Sequence, residues 1–291
     1  MRILPYFLSL VSLFIFYHDS MAQVAAVSVQ KTPVDYPFGQ NKMVGKYYQV
    51  RGFRMYVEEY GNGSPVLMIH GNGGSIQSFN QQIPFFSRNF RVIVADSRAQ
   101  GLSIDSRDTL SYEMMADDYA ALLSQMKIDS AQVIGWSDGG IIGILLAIRN
   151  PEKVKKLVIS GANLSPDTTA VNDDVLELVR PDYQRLLENK NKSAAEANSQ
   201  KLLRLLLEEP HIELKALHQI SCPTLVIGGD HDIVKKSHLV LIAEHISKSY
   251  LWIVPGAGHS IPLVFRDVFN ANVNDFLNQN YRVISGNKRF N

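Results

Sequence analysis

The sequence has very little cysteine and almost no net charge, and each absence excludes a class of protein. Cys222 is the single cysteine among 291 residues, so neither an intrachain disulfide nor a cysteine-based metal site can form. The 29 basic and 28 acidic residues give a formal net charge of +1, and no block of one charge sign is present. Nucleic acid and anionic membrane surfaces are therefore not expected partners.

Long hydrophobic runs are also missing, except near the N-terminus. There, Arg2 precedes an apolar stretch from Leu4 to Tyr17, and small residues follow up to Ala22. The stretch is shorter than the about 20 residues that span a bilayer, so an uncleaved anchor is the weaker alternative. We predict a signal peptide over 1–22, cleaved after Ala22, and an exported (periplasmic or secreted) protein without stable membrane association after processing.

Internal repeats and metal-binding patterns are absent from the sequence as well. No group of histidines and carboxylates has metal-ligand spacing on a single predicted element, so we expect no metal and no cofactor. The composition, 46% hydrophobic and 20% charged, is typical of a globular enzyme with one sizeable core. The alternation of short apolar segments and helical patterns is therefore the main evidence for the fold.

Eight short segments have the composition of strands, and helical stripes separate several of them. The first two predict an antiparallel hairpin. The later ones are apolar throughout, as expected when helices cover both faces of a parallel sheet. The helical stripes over 112–126 and 265–276 read as packing surfaces. The predicted strands are 47–50, 53–60, 66–69, 91–95, 132–134, 157–160, 225–227 and 250–254.

The segment 135–139 reads Gly-Trp-Ser-Asp-Gly, a G-x-S-x-G pattern. A predicted strand precedes it and an apolar helix follows it, which is the context of a nucleophile elbow centred on Ser137. In such a turn the serine adopts a strained backbone conformation. Side chains in place of Gly135 and Gly139 would collide with the neighbouring strand and helix.

Three further loops carry the groups that a serine nucleophile needs, and each follows a predicted strand. A serine hydroxyl requires a base, and histidine has its ordinary pKa near neutrality. A carboxylate then holds the imidazole tautomer. The chain order Ser137, Asp232, His259 is the order of one known triad arrangement. The loop after 66–69 places the backbone N–H of Asn72 beside that of Asp138 as an oxyanion hole.

Alternatives exist for the acid and for the base. Asp230 lies two residues before Asp232, but the spacing from Gly229 favours Asp232. His231 is the rival of His259, and the glycine-rich loop before His259 favours the latter. Of the other histidines outside the leader, His70 belongs to the loop motif and reads as structural. The remaining ones read as surface or cap positions: His211, His218, His238 and His245.

These motifs together resemble the α/β-hydrolases with an inserted helical lid, over about residues 47–277. Further marks are the segments 96–103 and 222–224, although Ala99 stands where the family usually has glycine. The segments 135–141 and 161–163 are most similar to the biphenyl-hydrolase-like (valacyclovir-hydrolase) esterases. The resemblance implies the α/β-hydrolase fold: a mostly parallel eight-stranded sheet, helices on both faces and a small inserted helical cap.

The implied organisation has four parts. They are the signal peptide 1–22, an extended arm over 23–46, a core over 47–162 and 216–280, and a helical cap over 163–215. Two or three cap helices are expected around 175–179, 183–187 and 202–207, with the polar stretch 189–199 as a mobile part. The leucine-rich run 202–207 needs a surface to bury against, which favours a cap over an exposed excursion.

The expected function is hydrolysis of small carboxylic esters by an exported serine hydrolase. Trp136, Asp138 and Asn163 are the expected substrate-binding residues. The carboxylate of Asp138 could attract a cationic acyl group such as an aminoacyl ester, or it could bond to local backbone or to Arg98. An amidase resembling proline iminopeptidase, a C–C bond hydrolase, a cofactor-free haloperoxidase and a non-catalytic ligand receptor remain open. Dehalogenation is disfavoured because Ser137 is not an aspartate.

Overall fold

The computed structural model describes residues 37–290 of the chain. The predicted signal peptide and most of the predicted arm lie outside the described residues. Within the described residues, no helix combines the length and apolar character needed to cross a membrane.

Eight strands form a single sheet, and their bounds differ from the predicted ones by at most three residues. The order across the sheet is β1-β2-β4-β3-β5-β6-β7-β8. The strand β2 is antiparallel to both neighbours, β1 and β4, and the later pairs are parallel. The strands are β1 Lys46–Val50, β2 Phe53–Tyr60, β3 Ser64–Ile69, β4 Phe90–Ala95, β5 Ala131–Trp136, β6 Val154–Ser160, β7 Thr224–Gly229 and β8 Ser249–Val254.

Helices cover both faces of this sheet. In the described residues the helices are α1 Ile83–Phe86, α2 Tyr112–Gln125, α3 Asp138–Arg149, α4 Asp173–Glu188, α5 Ala194–Glu208, α6 Lys236–His245, α7 Ile261–Val264 and α8 Arg266–Asn278. Short 3-10 turns lie between several of them. The helices α2, α3 and α6 pack on one face, and α1, α7 and α8 pack on the other.

Successive residues of the central strands contribute to two separate cores. On β3, Leu67 and Ile69 face the α2/α3 side, whereas Val66 and Met68 face the α1/α8 side. This alternation is the two-residue period of a strand. Because both faces are buried, the strands are apolar throughout, as the sequence predicted.

Residues 37–45 differ from the predicted extended arm. They form turns against the sheet, because the buried carboxylate of Glu58 accepts hydrogen bonds from the backbone N–H groups of Gly39 (2.9 Å) and Asn41 (2.7 Å). The hydroxyls of Tyr56 and Tyr60 donate to the same carboxylate. Four donors thus compensate the burial of a charge for which the sequence offered no visible partner.

The segment expected to form a cap contains two helices, α4 and α5. The helix α4 is continuous through Pro181, so the two short helices expected there are one. Residues 194–199, expected to belong to a mobile polar stretch, are the first turns of α5. The reason is a capping box: Ser193 accepts from the N–H of Glu196, and the Glu196 carboxylate accepts from the N–H of Ser193.

Candidate active site

The nucleophile elbow lies between β5 and α3. Ser137 has φ 58° and ψ −123°, a strained conformation for a residue with a side chain. A methyl group at Gly139 would overlap the carbonyl oxygen of Ile69 on β3, and one at Gly135 would overlap the backbone of Gly139. The predicted need for glycine on both sides of the serine is confirmed by this packing.

His259 and Asp232 meet at the same edge of the sheet, at the ends of β8 and β7. His259 Nδ1 lies 2.7 Å from Asp232 Oδ1, and their side chains are 9% and 0% exposed. Since a carboxylate can only accept, Nδ1 carries the hydrogen and Nε2 is left as the acceptor. This is the tautomer that a general base requires.

The carboxylate of Asp232 is held in its ionised form. Burial raises its pKa, but the hydrogen bond and charge of His259, together with two backbone hydrogen bonds, outweigh this effect. The backbone N–H groups of Gly229 (3.2 Å) and Val234 (3.4 Å) add to the stabilisation. The pKa of Asp232 therefore lies below its ordinary value.

The rival residues lie elsewhere in this loop. Asp230 accepts the N–H of Ala257 at 3.1 Å, and the side chain of His231 is 80% exposed. The histidine of the 2.7 Å pair is His259 and the acid is Asp232. The geometry thus places together the pair that the loop spacing favoured.

Ser137 and His259 are connected through their neighbours. The indole Nε1 of Trp136 donates to the carbonyl of His259 at 3.0 Å, and the two rings lie 6.1 Å apart. The charge of His259 acts to lower the pKa of the nearby Asp138 carboxyl. In the described part of the chain no hydrogen bond joins Ser137 Oγ to His259, so that contact stays a prediction.

The loop after β3 passes directly over the nucleophile. A methyl at Gly71 would lie 2.9 Å from Ser137 Cβ. His70 holds this loop through two hydrogen bonds. Its Nε2 accepts the N–H of Ser97 at 2.9 Å. In a neutral imidazole the other nitrogen then carries the hydrogen, so Nδ1 donates to the Gly71 carbonyl at 2.8 Å. Burial lowers the pKa of His70 to about 4. His70 is therefore neutral and structural.

The predicted oxyanion donors are two backbone N–H groups near Ser137. Asp138 begins α3, so its N–H has no partner within the helix. Asn72 lies in the loop that crosses the elbow. Among residues 37–290, neither N–H donates to another residue within hydrogen-bonding geometry. The positive end of α3 adds to their capacity to bind an anionic oxygen.

The carboxylate of Asp138 is buried beside the nucleophile, only 2% exposed. Asn72 Nδ2 donates to its Oδ2 at 2.9 Å. Burial raises the pKa of Asp138 to about 6, although the Asn72 bond and the nearby Tyr112 hydroxyl oppose this. Tyr112 is itself buried.

Arg98, considered as a partner of Asp138, is committed elsewhere. Its guanidinium is fully buried and pairs with Asp118 at 2.7 Å and with Asp105 at 3.1 Å. The side chain of Asn72, rather than that of Arg98, is hydrogen-bonded to Asp138. Sequence reasoning missed this partner because Asn72 is 66 residues from Asp138, and no local pattern relates the two.

The other expected substrate-binding residues, Trp136 and Asn163, make contacts with neighbouring backbone groups. Trp136 is half-buried, and the Asn163 amide donates to the carbonyl of Ser165 at 2.7 Å. His238, expected at a surface or cap position, is buried and accepts the N–H of Leu164 at 3.0 Å. It therefore supports the start of the helical insertion.

The helical insertion contacts two loops of the site. Near its start, Asn172 Nδ2 donates to the carbonyl of Asp232 at 2.8 Å. In α5, the carbonyl of Leu202 accepts from Asn72 Nδ2 at 3.1 Å. A groove of about 720 Å³ also runs between α5 and the loop 99–108, but neither Ser137 nor His259 lines it.

Metal-ligating side chains do not cluster in the described residues. No group of three or more His, Cys, Asp or Glu is arranged to hold an ion there. The expectation that the chain uses no metal and no cofactor stays a prediction.

The sheet order, the helices on both faces and the elbow between β5 and α3 define an α/β-hydrolase fold. A family model for the alpha/beta hydrolase fold matches residues 64–200. The chain therefore has the α/β-hydrolase fold, and over these residues it is similar to hydrolases of that family. The predicted fold class is therefore confirmed.

Particular relatives agree with this assignment. Over 248 residues, the chain is 28% identical to the serine hydrolase BPHL of Homo sapiens, covering 78% of this chain and 84% of that protein. It is 27% identical to the 2-hydroxymuconate semialdehyde hydrolase of Pseudomonas sp. (strain CF600), covering 80% and 94%. The solved structure of a thermophilic esterase from Thermogutta terrifontis shares the fold, with a TM-score of 0.68 at 22% identity and coverage of 80% and 97%.

Proposed function

We propose that this chain is a serine hydrolase that cleaves small carboxylic esters through an acyl-enzyme on Ser137. The observation that carries the proposal is the 2.7 Å bond between His259 and Asp232 at the sheet edge where the strained Ser137 lies. A strained serine beside an oriented imidazole is the arrangement that nucleophilic acyl transfer requires.

The reaction proceeds in two halves. Ser137 Oγ gives its proton to His259 Nε2 and attacks the ester carbonyl carbon. The bond to the alcohol oxygen then breaks, and His259 returns the proton to that oxygen. Water repeats the sequence on the acyl-enzyme with His259 as base, which releases the acid and restores Ser137. Asp232 stabilises the imidazolium in both halves and stays ionised.

The negative charge that develops on the carbonyl oxygen is bound by the N–H groups of Asn72 and Asp138. Each such donor contributes about 3–4 kcal/mol in the transition state. Neither N–H group donates to the backbone carbonyl of another residue among those described, which supports their availability to the oxyanion.

The helical insertion 163–215 acts as the cap in this proposal. Its contacts with the carbonyl of Asp232 and with Asn72 support a position over the site. Trp136 and Asn163, at the site's border, contribute to the wall that surrounds the acyl group.

The acyl class depends on Asp138. An ionised carboxylate one residue from the nucleophile favours a cationic acyl group such as an aminoacyl ester, because a partly buried charge pair is weakly screened. The side chain is 2% exposed, however, and Asn72 occupies one oxygen. Asp138→Asn separates the two cases. Charge recognition predicts a loss in kcat/KM of about tenfold or more on aminoacyl esters relative to neutral esters, whereas equal losses on both would assign no charge recognition to Asp138.

The catalytic proposal is tested with Ser137→Ala. We expect nearly all turnover of p-nitrophenyl esters to disappear, together with labelling by a fluorophosphonate probe, while the thermal unfolding profile is retained. Loss of a triad member leaves only about 10³–10⁴-fold catalysis over water. Retained activity or unchanged labelling in this variant would contradict the proposal.

A C–C bond hydrolase is the second candidate, because one relative is named a 2-hydroxymuconate semialdehyde hydrolase. The two candidates share Ser137, His259 and Asp232, so mutation of these residues does not separate them. A single screen separates them by comparing the turnover of p-nitrophenyl, aminoacyl and lactone esters with the turnover of a C–C substrate of the semialdehyde type. Amides belong in the same screen. Turnover of the C–C substrate well above that of every ester would replace the ester proposal.

A further inference from the structure

One polar cluster beside the nucleophile has no part in the mechanism above. The two amide hydrogens of Asn72 point to different elements: Nδ2 donates to Asp138 Oδ2 at 2.9 Å and to the carbonyl of Leu202 in α5 at 3.1 Å. The Asp138 carboxylate is 2% exposed. Burying such a group costs free energy unless it is compensated, which suggests a function for it.

The Asp138 carboxylate has little compensation from positive charge. The ion pairs of the described residues do not include it, and Arg98 is occupied by Asp118 and Asp105. Burial keeps its pKa raised to about 6. Asn72 donates to it at 2.9 Å, and the hydroxyl of the buried Tyr112 lies nearby.

We propose that Asp138 and Asn72 act as positioning residues: their hydrogen bond, together with the bond from Asn72 to Leu202, holds the oxyanion-hole N–H of Asn72 in place and couples it to α5. This proposal rests on the proposed acyl-transfer function for the role of that N–H. It assigns the side chains a task distinct from that of the backbone groups of the same residues.

The geometry explains why this pair can fix a backbone group. When the two hydrogens of an amide are bonded to two different elements, the orientation of the amide plane is fixed. Asp138 is rigid because it begins α3, and Leu202 lies in the middle of α5. A displacement of α5 would therefore remove one bond from Asn72 and loosen the loop that carries the N–H.

Kinetics on a small neutral ester such as p-nitrophenyl acetate test the positioning role. We expect Asn72→Ala, which keeps the backbone N–H, to lower kcat about 10- to 100-fold, because displacing a donor costs part of the 10²–10³-fold effect of removing it. KM should change less than about threefold. Asp138→Ala should have a similar effect, and the double variant should be no more than about threefold worse, because the two side chains act as one unit.

The conservative variant provides a rescue. Asp138→Asn keeps an acceptor oxygen for Asn72 and should recover at least about tenfold of the kcat that Asp138→Ala loses. A merely structural role would show the same kcat in both variants whenever both are folded. Because Asn72 is only half-buried, Asn72→Ala is expected to fold even if the buried Asp138→Ala does not.

Hydrogen exchange tests the coupling to α5 without any catalytic readout. Asn72→Ala should speed exchange across Ala194–Glu208 at least about threefold relative to Lys236–His245 of α6, since a tether of α5 is lost. Asn198→Ala is the matched control. It removes another α5 bond, from Asn198 Nδ2 to the carbonyl of Ala99 at 2.8 Å, and should speed the same exchange while lowering kcat much less than Asn72→Ala does, because the bond from Asn72 to Asp138 is kept.

Two results would overturn this coupling: a kcat of Asn72→Ala within twofold of the wild type, or exchange in α5 that does not respond to Asn72→Ala. Failure of the proposed function has a different signature. It would appear as unchanged activity in Ser137→Ala, whatever the exchange of α5 shows.

Discussion

At the residue scale, the acid of the candidate triad is distinguished from its neighbour by contacts rather than by residue type. Asp232 accepts from His259 and from two backbone N–H groups. Asp230 instead accepts from the backbone of the glycine-rich loop. Of these two aspartates, Asp232 therefore orients the imidazole, whereas Asp230 binds the backbone of the neighbouring loop.

We expect Asp232→Asn to lower kcat about 10⁴-fold, because an amide at this position stabilises the wrong imidazole tautomer. Asp230→Asn is the matched control and should change kcat less than about fivefold. Steady-state kinetics on one p-nitrophenyl ester measure both variants. If the Asp230 change were the more damaging one, the acid would be misassigned.

A second residue-scale prediction concerns Asp138 and the pH dependence of stability. Its pKa is raised to about 6 from 3.8 by burial. Between pH 4 and pH 6 the folded protein therefore retains a proton that the unfolded chain releases, so this group's contribution to stability falls as the pH rises. At pH 8 the cost of ionised Asp138 is at most about 3 kcal/mol.

Asp138→Asn should consequently raise the free energy of unfolding at pH 8 by up to about 3 kcal/mol and change it little at pH 4. Urea unfolding at both pH values measures the difference. The control is Asp267→Asn, whose side chain is 87% exposed; it should behave like the wild type at both. An equal effect of Asp138→Asn at pH 4 and pH 8 would show that its charge carries no burial cost.

At the element scale, the junction of β5 and α3 is packed too closely for side chains on its inner side. Gly139 lies against the backbone of β3, whereas Gly143, one helical turn later, faces only side chains. A methyl at Gly143 would lie 3.0 Å from Leu157 Cδ1. A side-chain end can move by a few tenths of an ångström, but the backbone of a central strand cannot.

We therefore expect Gly139→Ala to destabilise the protein by more than about 3 kcal/mol and to abolish fluorophosphonate labelling. Gly143→Ala should stay within about 1 kcal/mol of the wild type, because alanine's helix propensity offsets the crowding. Thermal unfolding and probe labelling report both. Labelling of Gly139→Ala at the wild-type level would show that the elbow can relax.

At the scale of the whole molecule, one sheet separates two cores and brings the loops of four parallel strands to one edge. The elbow, the acid loop, the histidine loop and the Asn72 loop all follow the carboxyl ends of their strands. This is the edge where open α/β sheets bind ligands. The site therefore depends on the order of the strands as much as on the individual motifs.

The export prediction also belongs to the whole chain, because it concerns the mature protein. We expect the protein recovered outside the cytoplasm to begin at or near Gln23, since the apolar segment before it matches a cleavable signal. N-terminal sequencing of the native protein measures this directly. An intact Met1 in a membrane fraction would favour the anchor instead.

Much of the fold was predictable because its signals are local. The apolar run of β3, the G-x-S-x-G pattern around Ser137 and the helical stripe from Tyr112 can each be recognised in a short stretch of sequence. The cap was less predictable. Pro181 suggested a break where α4 continues, and the polar composition around Ser193 concealed a capping box that starts α5.

Short sequence patterns were enough to identify the elbow, the order of Ser137, Asp232 and His259, and the strands that precede them. Each lies in a short stretch whose backbone geometry restricts the residue types. The partners of buried polar groups depend instead on how distant segments pack: Asn72 for Asp138, the Leu164 N–H for His238 and two tyrosines for Glu58. These partners follow from which distant loops meet, because a buried polar group bonds to whatever donor the packing places beside it.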